Sequence, residues 1–378
     1  MGHPRPCAVS MKQWLQSLAL SVLCLAAAAC RPQGQDGTVT VPDNISSKSL
    51  LPLIRSVEVI PLETREDDLL GTVSLYPASD GYIAVDARNL KIHHYARDGR
   101  FLNAVGHGGR GPQEYPMVTD VQVQDGQVNV FSLGAAKETF FGEDGSFLGR
   151  RDLSDLTHCW KVPEGLLAYQ GYAYRGKSLV SLVREDGSEE ELLPKPADGL
   201  LSMMDAKVFS SRGADTFIVP EWSQAVYRYS GGAVESWLEL DFGKYGLGTD
   251  FYQSEDMMSA FMSRMQTGMA FVSRYFERDR MRLVHCILNR VDLSTGEGET
   301  INNYGLFRDG RWTWFRLFDE DPVHASVQYL EDDALVYCLS PLDLEHLDPA
   351  LRKKISNPAA LDGLSEDDNS VVLKLHLK

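Results

Sequence analysis

Two interleaved series of glycine-containing turns recur along the chain with a period of about 45 residues. The first series is Asp80-Gly81, Asp125-Gly126, Glu164-Gly165 and Arg212-Gly213, and the second is Asp98-Gly99, Asp144-Gly145, Asp186-Gly187 and Gly231-Gly232. Successive glycines of one series lie 39 to 48 residues apart. Asp-Gly favours a tight hairpin, because a type I′ turn needs positive φ at both central residues. This repeat therefore restricts the chain to a fold built from similar β units.

Runs of β-favouring residues flank the turns, among them "YIAVDA", "KIHHYA" and "VNVFSL". Each period thus holds four short strands, A to D, with tight turns from A to B and from C to D, as a β-propeller blade does. Two longer periods follow, and the last lacks a fourth strand. Residues 55–63, "RSVEVIPLE", can supply that strand by pairing with residues 369–377. The sequence predicts an all-β, six-bladed β-propeller over residues 50–378, closed by an N-terminal strand in the last blade.

The N-terminus predicts export. Residues 1–29 have the basic start, apolar run and small-residue end of a signal peptide. Three alanines directly before Cys30 resemble a bacterial lipobox, which implies cleavage before Cys30 and lipidation of its thiol. Residues 30–49 are then the lipidated cysteine and a flexible tether rich in Gly and Pro. An ordinary cleaved signal is the alternative, and Met11 is an alternative start.

The charge balance limits the partners. The formal net charge is −16. Removing residues 1–29 takes away Arg5 and Lys12 and no acid, so the mature charge is −16 − 2 = −18. An acidic protein of this kind does not bind nucleic acid by bulk electrostatics, and membrane attachment would depend on the lipid alone. Cys159, Cys286 and Cys338 lie in apolar runs and predict buried thiols, or at most one disulfide.

Three segments resemble a known family. "IPLET" (residues 60–64), "GRGPQEY" (residues 109–115) and the terminal "DDNSVVLKLHLK" resemble the six-bladed β-propeller lipoproteins of Bacteroidota, an NHL/TolB-like family that is distant in style from NHL and TolB-like propellers themselves. The resemblance spans nearly the whole domain. It implies the propeller fold and a place in the cell envelope, as an outer-membrane lipoprotein that faces the periplasm or the cell surface. It implies no catalytic residues.

The long connections predict where binding takes place. In a propeller the B–C loops and D–A crossovers share one face, and the sequence puts residues 106–116, 169–177, 242–271, 302–323 and 341–367 there. Long loops on a rigid scaffold commonly carry function. The candidate ligand-binding residues on these segments or beside them are Arg110, Glu114, Tyr115, Tyr172, Tyr174, Trp222, Trp312 and Trp314.

Each candidate also has a structural interpretation. Arg110 and Glu114 can form an ion pair that pins the crossover, and the two tryptophans can pack on their own disc. His93 and His94 are adjacent on a strand and so face opposite sides, which disfavours chelation by that strand. His158, His285 and His324 fall on or near inner strands, where core or channel-lining roles compete with a channel metal. Asp120 offers a carboxylate for Ca²⁺ in the channel.

The sequence favours a binding or scaffolding module of the cell envelope, with a glycan, a peptide or a partner protein as ligand. Neither G-x-S-x-G nor H-E-x-x-H occurs. A metal-dependent lyase or lactonase-type propeller is the alternative, and an accessory sensor in a membrane complex is a third. No cofactor and no metal site are predicted, apart from the channel Ca²⁺. The sequence does not indicate the oligomeric state.

Overall fold

The computed structural model describes residues 37–66, 68–153, 158–172, 178–196, 207–292, 294–318 and 326–378. Within them the chain forms six successive antiparallel sheets, which are the blades of the predicted propeller. Cys30, Tyr174 and His324 lie outside the described residues. None of the helices in the described ranges has the length and hydropathy of a membrane-spanning helix.

The strands, in chain order, begin with β1 (Val39–Thr40) and β2 (Ile54–Pro61). Blade 1 consists of β3 (Ser74–Pro77), β4 (Gly81–Asp86), β5 (Lys91–Ala96) and β6 (Phe101–Ala104). Blade 2 consists of β7 (Asp120–Gln124), β8 (Gln127–Ser132), β9 (Lys137–Gly142) and β10 (Phe147–Asp152). Blade 3 consists of β11 (His158–Val162), β12 (Gly165–Tyr169), β13 (Ser178–Val183) and β14 (Glu189–Pro194).

Blade 4 consists of β15 (Phe209–Arg212), β16 (Asp215–Ile218), β17 (Ala225–Ser230) and β18 (Ala233–Asp241). Blade 5 consists of β19 (Met269–Arg278), β20 (Met281–Val291), β21 (Gly298–Arg308) and β22 (Arg311–Phe315). Blade 6 consists of β23 (Ser326–Leu330), β24 (Ala334–Leu339), β25 (Val371–Leu377) and β2. The α-helices are α1 (Thr249–Tyr252), α2 (Met257–Thr267) and α3 (Pro349–Arg352), and short 3₁₀ helices span Ser47–Ser49, Leu133–Ala135, Gly243–Tyr245, Leu342–His346 and Pro358–Leu361.

The repeated turns do not share one conformation. Asp125 and Gly126, between β7 and β8, both have positive φ, at 52° and 75°. In the turns between third and fourth strands of blades 1 to 3, by contrast, the glycine alone has positive φ, and the preceding aspartate accepts a hydrogen bond from a backbone N–H two residues on. The sequence therefore predicted these hairpins correctly, but type I′ geometry is not common to all of them.

The ring closes by pairing the two ends of the domain. β2 pairs antiparallel with β25 from Ile54↔Leu377 to Pro61↔Val371, as the sequence predicts. This pairing gives blade 6 its fourth strand and removes two open sheet edges. The joined surface is well buried, since Val57, Val59, Leu373 and Leu375 are at most 1% exposed.

The inner strands are linked across blade boundaries by side chains that bond to backbone. Gln122 of β7 accepts a hydrogen bond from the Lys161 N–H of β11 at 2.9 Å. Ser210 of β15 donates to the Tyr275 carbonyl of β19 at 2.6 Å. Gln328 of β23 accepts from the Leu75 N–H of β3 at 3.0 Å. These bonds satisfy backbone groups that the sheets themselves leave unpaired at the axis.

Residues 37–49 follow the propeller surface. β1 pairs in parallel with β18 at the outer edge of blade 4, and the Ser46 carbonyl then accepts a hydrogen bond from the Arg316 N–H of blade 5. Ile45 is 7% exposed and Leu50 is fully buried. This part of the predicted tether therefore belongs to the folded body, because its apolar side chains find cover on the outer strands of blades 4 and 5.

The crossover predicted after blade 5 was wrong. The sequence predicts residues 302–323 as a crossover, but residues up to Phe315 complete the last two strands of blade 5, which turn at Asp309-Gly310. The turn at Gly296 joins the second and third strands instead of the third and fourth. The first three strands of blade 5 are 10 and 11 residues long, so this blade occupies more sequence than an earlier blade does. Every later element therefore begins further along the sequence than a constant period would place it.

The long loop of blade 6 covers the outer edge of β2. Residues 340–370 connect β24 to β25, and Ile355 bridges to Val57 of β2. The side chain of Asn357 donates to the Val59 carbonyl at 2.7 Å and accepts from the Val59 N–H at 3.0 Å, in the manner of a neighbouring strand. Much of this loop is therefore committed to protecting the closing strand.

We expect Asn357→Ala to lower the free energy of unfolding by about 1–3 kcal/mol, because it leaves the buried N–H and C=O of Val59 without partners. Denaturant unfolding measures the change. Leu342→Ala, in the same loop at a residue that is 50% exposed, should stay within about 0.5 kcal/mol of the unmodified chain. Equal effects of the two substitutions would mean that the loop does not protect β2.

Candidate functional site

Five polar side chains meet where the inner strands surround the axis. Each belongs to the first strand of a different blade or lies within two residues of it, and we call them the channel group: Tyr76, Asp120, His158, Lys207 and Arg274. The first strands of blades 2 and 3, 4 and 5, 5 and 6, and 6 and 1 contact one another, which places these positions around a common centre. The five come from blades 1 to 5 in that order.

Lys207 crosses the centre of the ring. Its Nζ donates to the Tyr76 hydroxyl at 3.0 Å, although blades 4 and 1 lie opposite each other in a ring of six. Burial opposes the charge of Lys207, but the Tyr76 hydroxyl and the Asp120 carboxylate outweigh it and raise the pKa above its usual value. Lys207 is therefore protonated at neutral pH.

Arg274 brings a second cation to the same centre. A register shift in β19 precedes it, between Val272 and Arg274, and re-aims the strand. Nη1 of Arg274 donates to the Val327 carbonyl of the next inner strand at 3.1 Å. Burial lowers the pKa of Arg274, but a guanidinium remains charged in proteins.

Asp120 is the one carboxylate of the channel group, and it lies against His158, with Oδ2 3.4 Å from Nδ1. Among the described residues, no carboxylate lies within 4.0 Å of the cationic nitrogens of Lys207 or Arg274. In the part of the chain that the structure describes, the channel group thus holds two cations and one acid, in a chain whose net charge is −16. The described side chains of this group carry more positive than negative charge and are suited to an anionic group.

His285 belongs to the core of blade 5. Its ring stacks on Tyr304 with centroids 4.7 Å apart, and its Nε2 lies 2.8 Å from Asn302 Oδ1. Burial, together with the charge of Arg274, lowers the pKa of His285 to about 3, so the imidazole is neutral. The core interpretation of His285 thus agrees with the structure, while a Ca²⁺ role for Asp120 stays a prediction.

A pocket of about 340 Å³ opens at the turn-side mouth of the channel, opposite the long loops. Pro77, Phe276 and Tyr329 contribute apolar walls from three blades. Two of its charged groups are already paired, because Glu277 accepts from Arg212 at 2.6 Å and also from the Tyr275 hydroxyl at 2.6 Å. Internal pairing leaves this mouth with less unsatisfied charge than the channel group has.

The glycine-rich loop at residues 106–116 is the crossover from blade 1 to blade 2, as predicted. Glu114 accepts a hydrogen bond from the Gly111 N–H at 2.7 Å, and no ion pair joins this described residue to Arg110. A Cβ on Gly109 would lie 2.0 Å from the Glu114 carboxylate, so a larger residue there would displace that side chain. Tyr115 is 1% exposed and donates to the Leu90 carbonyl at 3.2 Å. The loop is pinned by backbone contacts and by a buried tyrosine, and Tyr115 cannot present its ring to a ligand.

Tyr172 and Trp222 lie in one apolar cluster that spans blades 3, 4 and 5, and they are 3% and 7% exposed. The Trp222 ring makes edge contacts with Phe261 of α2 and Phe271 of β19, with centroids 5.3 Å and 4.8 Å away. Burial raises the pKa of Tyr172 above its usual value. Both residues are thus packing residues under the helical insertion, and their burial excludes direct ligand contact in this conformation.

Trp312 and Trp314 share a face of β22, as two strand residues in alternate positions should. Their rings stack with centroids 5.9 Å apart, and Trp312 also contacts Phe307 across the hairpin. Both are half-buried against the apolar cluster of blades 4 and 5. They lie on the outermost strand of blade 5, at the far end of the sheet from the channel group.

Lys207, Arg274 and Tyr76 were not among the site residues predicted from the sequence. A polar residue in or beside the first strand of each of blades 1 to 5 was the signal available. Neither the direction of these side chains nor their contact across the ring can be read from a single period.

Comparisons with known proteins support the fold. A family model described as a domain of unknown function, DUF4934, matches residues 37–376. A solved protein of Bacteroides fragilis, described as exported, has a TM-score of 0.67 and 16% identity, with 90% of this chain and 99% of that chain covered. A DUF4221 family member from Bacteroides vulgatus has a TM-score of 0.53 and 8% identity, with 86% and 97% covered. At these identities the likeness shows the fold alone.

A streptogramin B lyase structure has a TM-score of 0.42 and 11% identity, with 85% of this chain and 98% of that chain covered, which is too distant to carry an argument about function. No curated protein matches the sequence. The family resemblance noted from "IPLET" and "GRGPQEY" is confirmed, since the family model spans residues 37–376. This chain belongs to the DUF4934 family.

Proposed function

We propose that this protein is a cell-envelope lipoprotein whose propeller binds a glycan, a peptide or a partner protein through an acidic group held in the central channel. One observation carries the proposal. Lys207 and Arg274 remain charged at the axis without a carboxylate within 4.0 Å among the described residues. An anionic ligand group would compensate both charges, and the Tyr76 hydroxyl would add a hydrogen bond.

The ligand enters from the side of the long loops. Asp120 and His158 stand at the first positions of their strands, and Lys207 lies two residues before the start of β15. In each blade that end of the inner strand connects to the crossover from the preceding blade. Three of the five residues of the channel group thus lie at the ends of their strands that face the long loops, whereas Tyr76 and Arg274 lie further along β3 and β19.

Binding is favoured over catalysis by the composition of the channel group. A metal-dependent lyase or lactonase, the alternative from sequence, needs several metal ligands on the axis. In the described part of the chain, the cluster that offers three such ligands lies between blades 1 and 2 instead. At the axis, Asp120 and His158 offer a single close pair. No observation favours the sensor role over general binding.

We expect glucuronate to raise the thermal unfolding midpoint of the full chain, because a ligand that binds only the native state stabilises it by mass action. Glucose at matched ionic strength should have no such effect, since it lacks the carboxylate. Lys207→Met and Arg274→Met should abolish the shift. Arg311→Met, which removes an exposed cation from β22, should keep it.

A thermal unfolding midpoint that rises equally with glucose, or that does not rise with glucuronate, would contradict a channel site for anions. Retention of the full shift in Lys207→Met would contradict the assignment of that lysine. Titration calorimetry on the same variants gives the affinity, in which each tenfold loss corresponds to about 1.4 kcal/mol.

The lipid anchor is tested separately. In cells that express the full chain, radiolabelled palmitate should label the unmodified protein and leave Cys30→Ser unlabelled, because the thiol of Cys30 is the predicted acceptor. Cys24→Ser is the matched control, since Cys24 lies inside the apolar run of the same signal. Label on Cys30→Ser, or none on the unmodified protein, would rule out lipidation at Cys30.

A further inference from the structure

Three potential metal ligands converge at the seam between blades 1 and 2, outside the channel. Asp80 lies in the turn from β3 to β4, His94 lies on β5, and Glu143 lies in the turn from β9 to β10. One ligand atom from each lies within 4.8 Å of the others. The three residues come from two blades and are brought together only when the turns of blade 2 dock on blade 1.

The hydrogen bonding of His94 defines its tautomer. Nδ1 lies 3.0 Å from the backbone carbonyl of Glu143, and a carbonyl oxygen can only accept, so Nδ1 carries a proton. In the neutral imidazole, Nε2 then carries a lone pair. Metal-binding histidines commonly donate the other ring N–H to a backbone carbonyl in this way.

The free nitrogen of His94 is buried and faces the other ligands. The side chain is 6% exposed, and Nε2 has no hydrogen-bond partner among the described residues. It lies 2.8 Å from Asp80 Oδ1, but without the alignment of a hydrogen bond. Two acceptor atoms at this distance require a positive charge between them, which either a proton on Nε2 or a metal ion supplies.

Hydrogen bonds from Ser79 and Asn103 orient the carboxylate and the backbone carbonyl of Glu143. Both carboxylate oxygens of Glu143 lie 3.2 Å from the Ser79 N–H, and the Ser79 hydroxyl also donates to one of them. Asn103 Nδ2 donates at 3.0 Å to the same Glu143 carbonyl that faces His94. Bonds of this kind hold metal ligands in place before the ion arrives.

We propose that Asp80, His94 and Glu143 bind one divalent transition-metal ion, for which Zn²⁺ is the best match. An imidazole with two carboxylates suits Zn²⁺ better than Ca²⁺ or Mg²⁺, which prefer oxygen ligands alone. Three protein ligands leave a fourth position open. Asp80 and Ser79 also line a shallow pocket of about 430 Å³ with Ala96, Arg97 and Asp98, so solvent or a small ligand can reach that position.

The neighbouring His93 supplies a matched control. It is equally buried, and its Nε2 lies 3.1 Å from Asp68 Oδ2. Asp68 is already paired with Lys91, whose Nζ lies 2.9 Å away, and the described residues offer no third ligand there. His93 and Asp68 therefore reproduce one histidine and one carboxylate of the proposed site without forming a metal cluster.

The test is equilibrium dialysis of the chelator-treated full chain against Zn²⁺, with the bound metal measured by elemental analysis. We expect one equivalent for the unmodified chain and a loss of affinity of about 10-fold to 100-fold in Asp80→Asn and His94→Gln. Asp68→Asn and His93→Gln should bind as the unmodified chain does. Zn²⁺ should also raise the thermal midpoint of the unmodified chain and of Asp68→Asn, but not of Asp80→Asn.

Asp80→Asn keeps the test decisive if His94→Gln fails to fold, because the Asp80 side chain is 65% exposed. Absence of Zn²⁺ binding at concentrations on the order of 100 μM would overturn the proposal, since structural and catalytic sites bind far more tightly. Equal loss in Asp68→Asn would also overturn it. If unmodified chain and Asp80→Asn bind Zn²⁺ alike, then Asp80 and His94 form an ordinary ion pair and no metal site exists.

Discussion

The pairing of β2 with β25 is the contact on which the rest of the structure depends. It joins residues that lie about 300 positions apart, so the chain must close a very long loop before the pairing stabilises anything. Once formed, it gives blade 6 a complete sheet and holds the six inner strands around one axis. The covering loop at Asn357 protects this closure at the edge of β2, while β1 pairs with the outer strand of blade 4.

Closure of the ring brings polar side chains from different blades together at its centre. An open series of sheets would leave Tyr76 and Lys207 on separate blades, 131 positions apart in sequence, whereas the ring brings them within hydrogen-bond distance. The two cations then occupy a partly enclosed space in an acidic protein, where solvent screens charge less than at the surface. The proposed recognition of an acidic ligand group is based on this contrast between the net negative charge of the chain and the two cations at its axis.

The seam between blades 1 and 2 shows a second use of the same architecture. In a propeller the turn of one blade packs against the strands of its neighbour, so side chains from two sheets meet beside the short turns. At this seam the backbone carbonyl of Glu143 orients His94, and Ser79 orients the Glu143 carboxylate. The channel and the seam are separate sites, since one is built from first strands and the other from turns and a third strand.

The sequence by itself determined the blade count, the closing strand and most hairpins, because turn chemistry and strand alternation are local and repeat with a fixed period. It misplaced the last hairpin of blade 5, where longer strands broke that period although Asp309-Gly310 carried the usual turn signal. It also ranked Tyr115 and Trp222 as ligand residues, since aromatic residues in or beside loops are not distinguishable from buried ones without packing. Only the tertiary structure decided that Lys207 reaches Tyr76 and that His94 meets Asp80 and Glu143. Those contacts depend on how whole sheets pack against each other, and no local pattern encodes that distance.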